Sequence, residues 1–328
     1  MKTTIKFQKA GDAALKFAWK NSEPRNYGLK RHWIKLTHFF VAMTLLSISS
    51  ILPAKELDSV NFVLLQKQAI FANAAYQSKE QVRALVEAGD YKLTFYQTIP
   101  DIQITFFLAT NESTQTQVIS IRGTSNIENA MVDIYLQLVD DQKTGLRLHH
   151  GFSLAAKKVY AQLKPLLKPG YKIHTTGHSL GGAAALILAM YLDADQFNIE
   201  QVTTFGQPKV TNIAGAAKIQ HLNVIRVVTP FDLVPLVPLF DPLDINNLDV
   251  YWHAGIEVIL LTDDQYAILE GMDSMLRASK FTQKPLNEEN LKHHQMTLYL
   301  EKLKAKSKSA QLIPYQNNFN LFNLFGGD

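Results

Sequence analysis

A chain of 328 residues that is 47% hydrophobic and 19% charged can bury a full core, which excludes a disordered or fibrous chain and a coiled coil. The formal net charge of +4 is unevenly spread: residues 1–54 hold nine Lys/Arg against two Asp/Glu, leaving the remainder near −3, without a basic groove for nucleic acid. The absence of cysteine excludes disulfides, zinc-thiolate sites, a thiol nucleophile and a lipidated cysteine.

In chain order, Lys30-Arg31-His32-Trp33-Ile34-Lys35, the apolar run FFVAMTLLSISSIL (39–52) and Pro53-Ala54-Lys55 follow the basic, apolar and small-residue zones of a secretory signal peptide. A membrane span needs about 20 residues, more than this run supplies. The expectation is a leader over 1–54 with its signal peptide at 31–54, giving a secreted or periplasmic protein. An uncleaved anchor over 36–52 and an ordinary buried helix are the alternatives. The long basic stretch ahead of the apolar run suggests a translation start near Leu29.

From residue 55 onward helix and strand patterns alternate. Residues 60–76 and 80–88 are helical in pattern, 92–98 and 102–109 read as a hairpin, and QVISIRG (117–123) is a buried-strand run ending in glycine. A short mixed segment (126–133) precedes a strand near 134–139 and a helix over about 152–167. A strand near 171–176 leads through TTGHSLGGA (175–183) into a run of good helix formers. Strands at QVTTFG (201–206) and LNVIRVV (222–228) flank a small-residue helix near 213–220. This repetition predicts an α/β fold whose mostly parallel central sheet is covered by helices on both faces, one domain over 55–310. Residues 311–328, Asn- and Phe-rich toward the end, form a separate tail.

Gly177-His178-Ser179-Leu180-Gly181 is G-x-S-x-G at a strand-to-helix junction. The central residue of such a turn takes a strained backbone conformation, and glycines two positions to either side let strand and helix approach closely. Ser179 is thereby held at a helix N-terminus, where unpaired N–H groups favour the anion that attack by its oxygen would create. A Gly-rich turn with a serine N-cap is the non-catalytic reading of the same residues.

A serine nucleophile needs a base and a group that orients the base, in the chain order Ser, acid, His for this architecture. Asp232, in TPFDLVP directly beyond the 222–228 strand, is the candidate acid; Asp241, Asp244 and Asp249 are later loop candidates that read as solvated turn residues. Four histidines follow Ser179. His221 lies on the approach to a strand, and His253 opens a strand among aromatics, so both read as structural. His293 and His294, near the start of the amphipathic helix LKHHQMTLYLEKL, offer the base.

Five stretches together resemble the class 3 lipases, α/β hydrolases that include filamentous fungal triacylglycerol lipases and many bacterial relatives, and the chain reads as a bacterial member. They are SIRGTSNIENAMVD (120–133), LHHGF (148–152), GHSLGG (177–182), FGQPKVTN (205–212) and TPFDLVPLVP (229–238). Thr211 stands where the family pattern has glycine, and His253-Ala254-Gly255 is similar to an H-x-G segment that follows the acid. The resemblance, over about 60–303, implies the α/β-hydrolase fold with a short lid helix. It further implies Ser179 as nucleophile, Asp232 as orienting acid, and an oxyanion hole from Thr124 and the N–H of Leu180. HxMxxY over 294–299 matches the bacterial pattern better than the frame from His293, so His294 is the implied base. Arg122 and Asp133 match positions that hold the lid hinge and strand end together.

The lid that the resemblance implies would carry Ile127, Met131 and Ile134 on one face, with Ala130 where the family commonly has tryptophan. The expected function is serine hydrolysis of lipid carboxylic esters at a lipid-water interface, with transient membrane or lipid-surface contact and neither cofactor nor metal. A phospholipase A1, a soluble-ester carboxylesterase, a transacylase and a non-catalytic binding protein are the alternatives.

Overall fold

A computed structural model describes residues 60–124, 137–239, 249–279 and 288–315. The expected leader and signal peptide, the lid residues Ile127, Ala130, Met131, Asp133 and Ile134, the loop aspartates Asp241 and Asp244, and the tail beyond 315 lie outside the described residues. The elements belong to one unit that begins at Asn61.

Helix α1 (Phe62–Ala74) starts where the Asn61 side chain accepts from the Leu64 amide, and α2 (Lys79–Glu87) starts at a reciprocal cap between Ser78 and Gln81. Strands β1 (Lys92–Ile99), β2 (Ile104–Asn111) and β3 (Thr116–Ile121) then form an antiparallel meander. The chain continues through β4 (Leu138–Asp141), β5 (Leu146–His149), α3 (His150–Leu163), β6 (Lys172–His178) and α4 (Leu180–Ala194). Next come β7 (Ile199–Phe205), β8 (Thr211–Asn212), α5 (Ile213–Lys218), β9 (Val224–Val228), β10 (Tyr251–Trp252), β11 (Ile256–Leu260) and β12 (Gln265–Leu269). Helices α6 (Gly271–Ser279), α7 (Glu288–His293) and α8 (Met296–Lys306) precede β13 (Gln311–Leu312).

The main sheet has the order β1-β2-β3-β6-β7-β9-β11-β12-β13. Its centre, from β3 to β11, is parallel, as expected for strands joined by helical crossovers. Period-two alternation sorts the side chains of β2 and β3 between two cores: Phe106, Leu108, Ile119 and Ile121 pack with α3 and α4 through Ala155, Val159, Ala184 and Leu188. Phe107, Ala109 and Val118 face the other way, against Phe71 and Ala74 of α1 and Val82 and Val86 of α2. Helix α4 is apolar around its whole circumference because it is buried against both sheet and α3, with every residue from Gly181 to Leu192 buried.

Three features depart from the sequence reading. A second, antiparallel sheet of order β10-β8-β5-β4 was not anticipated, because its strands are two to four residues long and too short to show a period. His253 does not open a strand; it follows the two-residue β10, and β11 begins at Ile256. Gln311 and Leu312, expected in the tail, pair in parallel with Gln265 and Tyr266 as the last strand of the main sheet. Among the described residues, no helix is long and apolar enough to cross a membrane.

Candidate active site

Strand β6 ends at His178, and α4 begins at Leu180, so Ser179 alone makes the turn. Its backbone sits at φ 57 and ψ −130, a conformation that L residues rarely adopt. The flanking glycines are sterically required: a Cβ on Gly177 would lie 2.5 Å from the Gly181 carbonyl, and one on Gly181 would lie 2.2 Å from the Ile121 oxygen. The strain is tolerated because both sides are anchored, the Ser179 amide bonding to Phe205 O at 2.8 Å and its carbonyl accepting from Ala183 N at 3.2 Å.

Asp232 lies just beyond β9 and is fully buried. Its Oδ2 accepts from His294 Nδ1 at 2.8 Å and from the Tyr299 hydroxyl at 2.5 Å, while Oδ1 accepts from Val234 N at 2.9 Å. Burial alone would raise its pKa, but the His294 imidazole, the Tyr299 hydroxyl and the Val234 amide together hold it below the usual carboxylate range. An ionised carboxylate can only accept, so His294 carries a proton on Nδ1, and in the neutral ring Nε2 is then the acceptor. Among the described residues neither that Nε2 nor Ser179 Oγ has a hydrogen-bond partner, although both are buried. Gly206, next to the residue that holds the Ser179 amide, packs so tightly that a Cβ there would lie 2.7 Å from Asp232 Oδ2 and 2.9 Å from His294 Nδ1.

His294 is not near the start of one long helix. Helix α7 ends at His293, His294 and Gln295 form a break, and α8 starts at Met296. The break is pinned from the acid side: Thr229 Oγ1 donates to His293 O at 2.8 Å, and Asn290 Nδ2 donates to Phe231 O at 3.0 Å. His293, one residue away, turns edge-on to Phe231, with ring centroids 4.9 Å apart, and takes no part in the contact with Asp232.

The expected oxyanion residues lie just beyond the neighbouring strand and at the start of α4. Ile121 of β3 is in register with Gly177 of β6, and a Cβ on Gly123 would be 3.1 Å from that of Ser179, so Thr124 follows a segment that touches the turn. Leu180 is the first residue of α4. The remaining candidates sit elsewhere. His221 bonds Asp193 at 2.9 Å, Asp249 pairs with Arg147 and Asn212, and Arg122 donates to Gln103 O at 2.8 Å. Thr211, in place of glycine, donates its hydroxyl to Arg147 O at 2.7 Å.

Sequence reasoning assigned no role to four residues that complete the surroundings. Tyr299 bonds Asp232, and its place in HxMxxY was the available signal. His178 and Tyr76 pair with each other at 2.9 Å, and a separation of 102 residues gives no local pattern from which to infer it. Lys209, fully buried, donates to Leu236 O and to Pro238 O (3.2 Å), tying down the 3-10 turn Val234–Leu236 that follows the acid. His253 braces the same turn, donating from Nε2 to Pro235 O at 2.6 Å.

Burial keeps His178 and His253 neutral, pushing the first down to about 3 and the second well below the ordinary value. Each therefore binds its proton more readily in the unfolded chain, so its contribution to stability is present above about pH 6.5 and falls as the pH drops below it. Unfolding free energy at pH 5 should be lower than at pH 7, by up to about 1.4 kcal/mol per pH unit for each histidine. Denaturant titrations at the two pH values check this, and His253→Gln, which keeps a donor for Pro235 O, should lessen the difference. Equal stability at both would show that these rings are not held neutral.

Residues 118–241, which include the Ser179 turn and Asp232, match the family model for Lipase (class 3). Over that segment the chain is similar to the class 3 lipases. Among curated relatives, the chain is 33% identical over 141 residues to the secreted mono- and diacylglycerol lipase 1 of Fusarium solani, covering 40% of this chain and 42% of that one. It is 28% identical over 171 residues to a lipase of Rhizopus niveus, covering 48% and 43%. The match thus spans under half the length of each of these relatives. The crystal structure of a lipase from Rhizopus microsporus var. chinensis superposes with a TM-score of 0.52 at 26% identity, over 61% of this chain and 75% of that one. The fold of the chain is accordingly the α/β-hydrolase fold.

Proposed function

We propose that the chain is a serine hydrolase that cleaves carboxylic esters of lipids through an acyl-serine intermediate on Ser179. The observation that carries this reading is a buried, ionised Asp232 bonded to His294 Nδ1, with His294 Nε2 left without a partner among the described residues beside the strained Ser179 turn. That constellation has the nucleophile, base and orienting acid required for acyl transfer.

In the proposed cycle, Ser179 Oγ attacks the ester carbonyl carbon as His294 Nε2 takes the hydroxyl proton. Asp232 holds the imidazole in its Nδ1–H tautomer and stabilises the imidazolium. The carbonyl oxygen becomes an oxyanion, held by the N–H of Leu180 and by the backbone N–H and hydroxyl of Thr124. One such donor is typically worth about 3 kcal/mol in the transition state. The tetrahedral intermediate collapses, the alcohol leaves with the proton from His294, and an acyl-serine remains. Water then attacks with His294 as base, the acid departs, and Ser179 Oγ regains its proton.

Lipid esters are the substrate class favoured by the likeness to the Fusarium mono- and diacylglycerol lipase and the Rhizopus lipase. The apolar residues Ile127, Met131 and Ile134, in the segment between Thr124 and β4, would favour burial in a lipid layer over exposure, at roughly 25 cal/mol per Å². The proposal therefore includes transient contact with a lipid surface and, from the leader and the secreted Fusarium relative, export through the 31–54 signal. With purified 55–328 protein, hydrolysis of medium- and long-chain glycerol esters should rise as substrate passes from dissolved to emulsified, modestly because Ala130 is small, and less in Met131→Asp. Saturation on short dissolved esters without a response to the interface would select a soluble-ester carboxylesterase. Fatty-acid release from phospholipid but not from neutral glyceride would select phospholipase A1, and ester formation with an added alcohol would reveal a transacylase.

A further inference from the structure

We infer that His178, the residue before the serine, is the positioning residue that aims the base, acting through the main chain of His294. The inference rests on the reading of Ser179 as nucleophile and His294 as base, and deepens it.

Both nitrogens of the buried His178 ring are engaged: Nε2 lies 2.6 Å from His294 O, and Nδ1 lies 2.9 Å from the Tyr76 hydroxyl. A carbonyl oxygen can only accept, so Nε2 carries the proton. In a neutral imidazole the other nitrogen is then an acceptor, and Tyr76 donates to it. The tautomer is fixed from both sides. Burial and the neighbouring His294 keep the ring neutral, against the weaker opposing effect of Asp232. The aromatic groups that face it are Tyr76, His294, with ring centroids 4.5 Å away, and Tyr299, at 6.0 Å.

The anchored carbonyl belongs to the residue at which the helix is broken. His294 N still closes the last turn of α7, bonding to Asn290 O and Leu291 O, whereas the next amide to find a carbonyl in the break, Leu298 N, bonds to Gln295 O. The His294 carbonyl is therefore left out of both helices, and such an orphan group needs an outside donor when buried. His178 supplies that donor. With the carbonyl fixed by His178 and Nδ1 fixed by Asp232, the imidazole is held at two separated points, which leaves Nε2 one direction in which to aim. Because His178 is covalently joined to Ser179, nucleophile and base are referenced to the same strand end, independently of the acid. Tyr76 extends the arrangement to the end of β3: a Cβ on Gly123 would lie 2.7 Å from its hydroxyl oxygen.

Nitrogen-15 and two-bond proton-nitrogen spectra of the full chain should show His178 as the neutral Nε2–H tautomer throughout pH 5 to 8, with its Nδ1 resonance displaced in Tyr76→Phe. His178→Leu should lower kcat by about 30- to 100-fold with KM within about twofold, the signature of a base displaced by a fraction of an ångström. His178→Gln, whose amide can still donate to the carbonyl, should recover kcat to within about fivefold of the parent. Protonation of His178 or the Nδ1–H tautomer in that pH range, an unchanged kcat in His178→Leu, or a loss in the Gln variant as deep as in the Leu variant would overturn the inference. If His178→Leu does not fold, the tautomer of the parent and its response to Tyr76→Phe decide it. His294→Ala separates the two levels: activity retained there defeats the triad reading, whereas an inactive His294→Ala beside an unaffected His178→Leu defeats the positioning role alone.

Discussion

Ser179→Ala is expected to lower ester hydrolysis by about five to six orders of magnitude while leaving the fold intact. The substitution removes one oxygen, and that oxygen has no hydrogen-bond partner among the described residues, so no buried group is left unsatisfied by its loss. Alanine meets the same backbone strain at φ 57 as serine, and the anchors that hold the turn, to Phe205 O and Ala183 N, are main-chain bonds that survive. Stability should therefore change by less than about 1 kcal/mol, measured by denaturant titration beside initial rates on an emulsified glycerol ester. A serine-directed phosphonate should label the parent at Ser179 alone, read by mass mapping. Retention of most of the activity, or labelling at another serine, would end the nucleophile assignment.

The second large effect belongs to the proposed base, His294. His294→Ala should cost about four orders of magnitude or more in kcat, and His293→Ala no more than about threefold, although the two are adjacent. Geometry gives the difference. His294 Nδ1 lies 2.8 Å from Asp232, whereas His293 contributes its carbonyl to Thr229 and its ring to Phe231, and the carbonyl survives substitution. Removing the His294 imidazole also strips a buried carboxylate of one partner, so the alanine variant should be destabilised by about 3 kcal/mol. His294→Asn separates the two losses, since its amide can still donate to Asp232: stability should recover in part and activity should not. An inactive His293→Ala beside an active His294→Ala would move the base by one residue. Activity in both would remove the base from the α7–α8 junction altogether, and His253, the histidine left after the strand-edge His221, already donates its Nε2 proton to Pro235 O.

Local chemistry made much of this legible without coordinates. The β6–Ser179–α4 turn could be read because its cause is local: G-x-S-x-G supplies at fixed spacing the two positions where a Cβ would collide with backbone 2.2 to 2.5 Å away. The parallel centre of the sheet could be read because its strands between 116 and 228 are short β-type runs of five to seven residues that alternate with helical runs, and short crossovers leave few ways to join them. Asp232 followed from its position just past β9, flanked by prolines that make the turn.

What depends on residues far apart in sequence had no such trace. The helix break at His294 interrupts an amphipathic pattern that runs on without a glycine or proline, and it exists because Thr229, Asn290 and His178 bond the carbonyls and loops around it. The second sheet is built of strands two to four residues long, which gain their stability from tertiary packing and not from a period of their own. By itself, then, the sequence determined the strained serine turn and the parallel sheet, and it offered Ser179, Asp232 and His294 as candidates in that order, since each is encoded within a few neighbouring residues. HxMxxY had pointed to His294 and Tyr299, but only the tertiary structure shows how both meet Asp232, and it alone gave Tyr76, His178 and Lys209 their places around the site. Those choices are made by hydrogen bonds and burial between segments separated by up to 116 residues, where no local period, cap or turn carries the information.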